Sequence, residues 1–139
     1  MCNIEEAKEI LLKNSNYTCV FCNGADVIAS SERGIKPLLD LLSDNISLDG
    51  YYAADRVVGK AAALLYVCLR VKEVYAEIIS EQACSVFDKY NIKTSYLSRV
   101  PFIINRAKNG KCIMESAVWD IDDPKTALTV LKDKYNSLN

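Results

Sequence analysis

The chain has 139 residues, of which half are hydrophobic and a quarter are charged. This length and composition predict a single globular domain, 1–139, with a core large enough to fold without disulfides or a structural metal. Lys and Arg number 17 against 18 Asp and Glu, which gives a net charge of −1, and histidine is absent. The absence of a basic excess argues against nucleic-acid binding. The absence of histidine removes the commonest general base and the commonest metal ligand.

The N-terminal sequence and the cysteines indicate a cytoplasmic protein. The first six residues are acidic in character and lack the basic start and apolar run of a signal peptide. The longest apolar stretch, residues 57–69, is interrupted by Gly59-Lys60 and is shorter than the roughly 20 residues that span a bilayer. We therefore expect no membrane association, and six reduced cysteines that pack mostly as small hydrophobic side chains.

Hydrophobic spacing and turn residues predict the elements of the first third of the chain. Asn3 is a suitable helix cap, and Asn23-Gly24 is a strong signal for a two-residue hairpin turn. Pro37 fits the first turn of a helix, where its missing N–H costs nothing. The predicted elements are a helix at 4–12, strands at 17–22 and 27–29, and a helix that begins within 34–37.

The rest of the chain alternates between strand-forming and helix-forming segments. Asp55 is predicted to cap a long, nearly all-apolar helix, Ser80 to cap the next one, and 122–124 to begin the last. Residues 112–119 fit either a helix or a strand, and Asn109-Gly110 predicts a turn. The predicted elements are strands at 51–54, 71–79 and 92–96, helices at 55–69, 81–90 and 124–135, and a helical turn at 100–104.

An antiparallel hairpin followed by strand–helix–strand units implies a mixed sheet with helices on both faces. The fold class is therefore α/β, a three-layer α/β/α domain. This order of elements resembles the cytidine-deaminase-like fold. The segments 34–38, 54–64, 73–77 and 118–124 are similar to a small bacterial family of unknown function that is classed within that fold. The resemblance covers about 17–135 and implies a fold but no activity.

A deaminase-like fold would suggest zinc-dependent nucleobase deamination, which the sequence does not support. That chemistry needs three His or Cys ligands and a nearby Glu, read as H-x-E or C-x-E on one helix start and P-C-x-x-C on the next. None of the six cysteines precedes a Glu by two residues, and none follows a proline. We expect no zinc and no other cofactor.

Cys19 and Cys22 have the C-x-x-C spacing of redox and zinc sites. They lie in a predicted strand, where residues three apart point to opposite faces. No second C-x-x-C completes a set of four ligands. Core packing is therefore favoured over metal binding or redox chemistry.

Candidate site residues cluster at the start of the predicted helix 55–69. Helix starts at the carboxyl ends of strands are where open α/β sheets bind ligands. Asp55 is either an ordinary helix cap or a ligand contact. Lys60, next to Gly59 and among apolar neighbours, is either a buried charge with a function or a side chain that reaches solvent or pairs with Glu77 or Asp55.

The second cluster of candidates begins the next helix. Ser80 and Glu81 fit an ordinary cap with an acid in the first turn, and in the deaminase-like arrangement they would lie beside Asp55 and Lys60. Cys112 and Glu115 could line the same pocket. The alternative, which the sequence favours, is a core thiol and a surface acid.

Three functions remain open on the sequence alone. The first is binding of a small anionic or nucleoside-like molecule at the paired helix starts, with Lys60 as the charge partner. The second is a metal-free enzyme that uses Lys60 as nucleophile or proton shuttle. The third is a structural module that forms a homo-oligomer through exposed apolar or tyrosine surface.

Overall fold

The structure, a computed structural model, describes residues 3–105, 108 and 110–138. Helices and strands alternate through most of this range. The helices are α1 (Ile4–Lys13), α2 (Lys36–Ser43), α3 (Lys60–Leu69), α4 (Glu81–Lys89), α5 (Ile113–Ala117) and α6 (Pro124–Ser137), and the strands are β1 (Cys19–Asn23), β2 (Asp26–Ser30), β3 (Tyr52–Val58), β4 (Glu73–Ser80) and β5 (Lys93–Val100).

The five strands form one mixed sheet in the order β2-β1-β3-β4-β5. Strand β1 runs antiparallel to both β2 and β3, whereas β3, β4 and β5 are parallel to one another. Parallel neighbours need a crossover, which α3 and α4 provide. The predicted α/β class and mixed sheet are confirmed.

Apolar side chains on β1 face both sides of the sheet. Cys19 and Phe21 join the large core beneath α2, α3, α4 and α6, while Val20 and Cys22 join a smaller cluster beneath α1. The predicted placement of the two cysteines on opposite faces is confirmed. Cys19 is a free thiol, but Cys22 is disulfide-bonded, so the expectation of six reduced cysteines is wrong.

Helix α3 lies at the centre of the large core. Its side chains are buried on nearly every side, and Tyr66 is fully buried against the rings of Phe21 and Phe87. Such a helix stays in place because tertiary packing, and not an amphipathic face, holds it. The first turn of α3 is therefore held in a fixed position at the carboxyl end of β3.

The predicted start of the long helix is wrong by five residues. Strand β3 continues through Asp55 to Val58, and α3 begins at Lys60 with Gly59 as its N-cap. Val57 and Val58 are β-branched and pair with β4 at Ile78 and Ile79, and this pairing prevails over the capping preference of Asp55.

The segment after β4 also differs from the prediction in two places. Strand β5 extends to Val100, and no helical turn follows at 100–104; Ile104 instead forms an isolated bridge with Lys111. Residues 112–119 contain the short helix α5. The turn predicted at Asn109-Gly110 lies partly outside the described residues. Over the described ranges, no helix is long and apolar enough to cross a membrane.

The predicted helix caps are otherwise confirmed. The side chains of Asn3, Ser80 and Asp123 accept hydrogen bonds from the backbone N–H of the third residue of α1, α4 and α6 respectively. The hairpin between β1 and β2 is also confirmed, although its two loop residues are Gly24 and Ala25. Gly24 adopts φ +60°, the left-handed conformation that such turns need.

Candidate functional site

A cavity of about 320 Å³ opens at the carboxyl end of β3. Its walls come from the loop before α2, the end of β3, the first turn of α3 and the segment around α5. The position agrees with the rule that open α/β sheets bind ligands beyond the carboxyl ends of their strands. Most of the lining is apolar, and its apolar side chains include Ile35, Val57, Ala61, Ala62, Ile103 and Met114.

Glu115, on α5, is a buried carboxylate at the wall of this cavity. Its side chain is about 1% exposed. Oε2 accepts a hydrogen bond of 2.6 Å from the backbone N–H of Lys60 and one of 2.8 Å from the hydroxyl of Ser80. Oε1 accepts a bond of 2.7 Å from the N–H of Ile103. One carboxylate therefore joins the starts of α3 and α4 to the segment that follows β5.

Gly59 makes this arrangement possible because it has no side chain. A Cβ atom at this position would lie 2.7 Å from Oε2 of Glu115 and 2.9 Å from Cγ1 of Ile103. Both distances are closer than van der Waals contact. The backbone of Gly59 has φ −96°, which any residue can adopt, so the requirement for glycine comes from space alone.

Lys60 is buried, but its ammonium group is directed away from the cavity. The Nζ atom donates to the carbonyl oxygen of Trp119 at 2.8 Å and to Oδ1 of Asp122 at 3.0 Å. The Lys60 side chain is about 4% exposed, whereas Asp122 is largely exposed. The hydrogen bond from Lys60 lowers the pKa of Asp122. Lys60 thus holds the connection between α5 and α6 in place.

Asp55 is the half-buried acid of the cavity lining. Oδ2 accepts a hydrogen bond of 2.6 Å from the hydroxyl of Tyr66, and Oδ1 accepts a longer one of 3.3 Å from the N–H of Val57. Burial is the main cause that raises the pKa of Asp55 to about 6, although these hydrogen bonds act in the opposite direction. Asp55 can therefore change charge near neutral pH.

Cys19 lies directly across from Asp55 in the pairing of β1 with β3. Burial, together with the nearby charge of Asp55, raises the pKa of the Cys19 thiol. A thiol held in its protonated form is a weak nucleophile and a poor metal ligand. Cys19 therefore forms part of the cavity wall but does not act as a nucleophile.

The residues present do not fit a zinc site. Where the deaminase-like resemblance would place zinc ligands, α3 begins with Gly59-Lys60 and α4 with Ser80-Glu81. Among residues 3–105, 108 and 110–138, no group of three or more His, Cys, Asp or Glu side chains is arranged to hold a metal ion.

Comparison with known families decides the classification. The family model described as TM1506, Domain of unknown function (DUF1893), matches residues 6–135. The chain belongs to this family. A solved crystal structure of a DUF1893 family protein (TM1506) from Thermotoga maritima is similar, with a TM-score of 0.87 and 24% sequence identity. The match covers 96% of this chain and 91% of the other. No curated protein matches the chain.

The candidate residues of this DUF1893 domain divide into two groups. Asp55, Gly59, Cys112 and Glu115 line the cavity, and Ser80 contacts it only through its bond to Glu115. At the starts of α3 and α4, the backbone N–H of Lys60 and the hydroxyl of Ser80 both donate to Oε2 of Glu115. The ammonium of Lys60 and the exposed Glu81 do not belong to the cavity lining.

Two readings that the sequence favoured are wrong in the DUF1893 domain. Asp55 is not a helix cap, because it lies within β3. Glu115 is not a surface acid, because it is nearly fully buried. Arg33, an exposed residue at the rim, is part of the lining that sequence reasoning missed; it stands next to Gly34, whose φ of +67° marks the turn into α2.

Proposed function

We propose that this protein binds a small molecule in the cavity at the carboxyl end of β3. The observation that carries the proposal is the cavity itself, with mainly apolar walls and a few polar groups, among them Asp55 and Arg33. Binding sites for small molecules are typically mainly apolar clefts of about 300–1,000 Å³ with a few fixed polar groups. The cavity of about 320 Å³ lies at the small end of that range.

The polar contact of the ligand is assigned to Asp55 in this proposal, with Arg33 exposed at the rim of the cavity. The sequence indicated Lys60 as the charge partner of an anionic or nucleoside-like ligand. Its ammonium group is already bonded to Trp119 and Asp122, which argues against both that role and the metal-free enzyme with Lys60 as nucleophile. An amine that is paired and almost inaccessible is a poor nucleophile.

The proposal also includes the detailed fold, the cellular compartment and the absence of zinc and nucleic acid that the sequence indicated. We treat 1–139 as one cytoplasmic domain with a three-layer, cytidine-deaminase-like arrangement that acts without zinc and without nucleic acid. Helices on both faces of the mixed sheet support the arrangement. The absence of histidine and of a basic excess supports the absence of zinc and nucleic acid. Metal analysis of the purified protein that gave one zinc per chain would contradict it.

Alkylation of Cys112 tests the proposal, because this free, half-buried thiol belongs to the cavity wall. The protein is treated with iodoacetamide in the presence of small aromatic fragments, and each cysteine peptide is followed by mass spectrometry. Fragments that bind should slow the alkylation of Cys112 but not of Cys68, a free thiol outside the cavity. If no fragment protects Cys112 selectively, the proposal is wrong.

A variant that fills the cavity provides the matched control. Val57 lines the cavity and is about 43% exposed, so Val57→Trp adds volume at a position with access to solvent. Protection of Cys112 should disappear in this variant, while its circular dichroism spectrum stays that of the wild type. Protection that persists in Val57→Trp would place the bound fragment elsewhere.

Self-association is the second candidate function, and the edge strand β5 favours it. Leu97 is about 73% exposed and Tyr96 about 43%, and within the described part of the sheet β5 has a neighbour on one side only. An exposed edge strand can pair with a second copy of itself. Light scattering should then show a dimer that Leu97→Lys dissociates. A monomeric wild type would exclude this function.

A further inference from the structure

Two carboxylates border the cavity, and they differ in how many hydrogen bonds their oxygens already accept within the protein. Both oxygens of Glu115 are occupied within the protein, by the N–H groups of Lys60 and Ile103 and by the hydroxyl of Ser80. A helix N-terminus attracts anions, but at the N-terminus of α3 the Glu115 carboxylate already accepts a backbone hydrogen bond. A bound anion would therefore have to lie beside an existing negative charge.

Asp55, by contrast, keeps the capacity to accept further hydrogen bonds. Oδ2 accepts from the Tyr66 hydroxyl and Oδ1 from the N–H of Val57 at 3.3 Å, and a backbone hydrogen bond from Arg56 also lowers the pKa of this acid. An ionised carboxylate offers about four acceptor positions. These three donors leave about one acceptor position, and because Asp55 is half-buried and lines the cavity, that position is available to a donor inside it.

The titratable and charged side chains around Asp55 do not supply a cation that pairs with it inside the cavity. Tyr66 from α3 and Cys19 from β1 face it, and burial raises the pKa of both. The charge of Arg56, the next residue, lowers the pKa of Asp55, but its guanidinium is held by Glu77 and by carbonyl oxygens at the end of α1. Arg33 is exposed at the rim, where solvent screens its charge.

We infer that the ligand of this cavity carries an amine or amidine group that donates hydrogen bonds to Asp55, with an apolar remainder against Ile35, Ile103 and Met114. This inference rests on the proposed function, because it presupposes that the cavity binds a ligand. Pairing of a cationic nitrogen with a partly buried carboxylate gives short, strong hydrogen bonds. A cation beside Asp55 also favours the ionised acid, which burial alone disfavours.

Three probes that share one ring and differ in charge test the inference: benzamidine, benzamide and benzoate. Their dissociation constants are measured on the full chain by NMR titration above the pKa of Asp55, with protection of Cys112 as the readout of location. Benzamidine should bind at least about tenfold more tightly than benzamide, and benzoate most weakly. The affinity for benzamidine should fall as the pH is lowered through about 6, where Asp55 becomes protonated.

The matched variants are Asp55→Asn and Asp133→Asn. Asp55→Asn keeps the shape of the side chain and should abolish the preference for benzamidine. Asp133, exposed on α6 and outside the cavity, provides a substitution of the same kind that should keep the preference. Equal affinity for benzamidine and benzoate in the wild type, or an unchanged preference in Asp55→Asn, would overturn the inference and leave the proposed function intact. If none of the three probes protects Cys112, while other fragments do, the inference alone fails; if no fragment protects it, both fail.

Discussion

Glu115 accepts a hydrogen bond of 2.6 Å from the backbone N–H of Lys60, although the two residues are 55 positions apart in sequence. The same oxygen accepts from Ser80, and the other oxygen accepts from Ile103. A buried donor that loses its acceptor destabilises the folded state by the full free energy of its desolvation. The contact therefore links the stability of the domain to the shape of the cavity, because Gly59, Ile103 and Glu115 all line it.

We predict that Glu115→Gln destabilises the protein by about 2 kcal/mol, because the amide replaces one acceptor oxygen with a donor and leaves an N–H or O–H group unpaired. Urea denaturation of wild type and variant gives the free energy of unfolding. Glu81→Gln is the matched control, since Glu81 is an exposed acid in the first turn of α4. Its effect should stay within about 0.5 kcal/mol, and equal losses for both variants would contradict this account.

Gly59→Ala should cost about 1–3 kcal/mol, because its methyl group overlaps the Glu115 carboxylate and the Ile103 side chain. Backbone strain makes no contribution at φ −96°. The same substitution in a Glu115→Ala background should cost less, since the contact with the carboxylate is then removed. Additive losses in the double variant would show that the two residues do not interact.

The starts of α3 and α4 illustrate what local sequence can and cannot predict. A serine followed by an acid favours a helix cap, and Ser80 accepts from the N–H of Ala83 as predicted. Asp55 has the same local preference, but Val57 and Val58 pair with β4 and keep it in the strand. A cap preference of about 1 kcal/mol is weaker than the combined stabilisation from the backbone hydrogen bonds to β4 and from side-chain burial. This stabilisation depends on a strand that is distant in sequence.

Lys60→Met is predicted to leave ligand binding in the cavity unchanged and to reduce stability by about 1 kcal/mol, because the carbonyl of Trp119 loses its donor. The pKa of Asp122 should rise toward its ordinary value, since the hydrogen bond from Lys60 lowers it in the wild type. An NMR titration of Asp122 measures this rise. An unchanged Asp122 pKa, or loss of fragment binding in Lys60→Met, would contradict the position assigned to the ammonium group.

The stability contributed by Asp55 should fall as the pH rises from about 4 to about 6. In that interval the unfolded chain has already released the proton, whereas burial keeps Asp55 protonated in the native state. The loss is on the order of 3 kcal/mol and is complete above the native pKa of about 6. Urea denaturation across this range should show a pH dependence that Asp55→Asn removes. A wild type and variant with parallel profiles would refute the raised pKa.

The role of Glu115 could not be predicted from the sequence. Its segment, residues 112–119, fits a helix or a strand equally well, and its three donors come from distant positions. The mixed sheet and most helices followed from hydrophobic spacing and turn residues because those signals are local. A buried acid becomes recognisable only once the fold brings its partners together, although the isolated Gly59 before an apolar run is a sign of close packing.

A crystal structure of the protein soaked with benzamidine tests the central claim most directly. The account predicts the amidine within hydrogen-bond distance of the Asp55 carboxylate and the ring against Met114 and Ile103, with the bonds from Lys60 N–H and Ser80 to Glu115 unchanged. Benzamidine bound at another surface while this cavity holds only solvent would contradict the account.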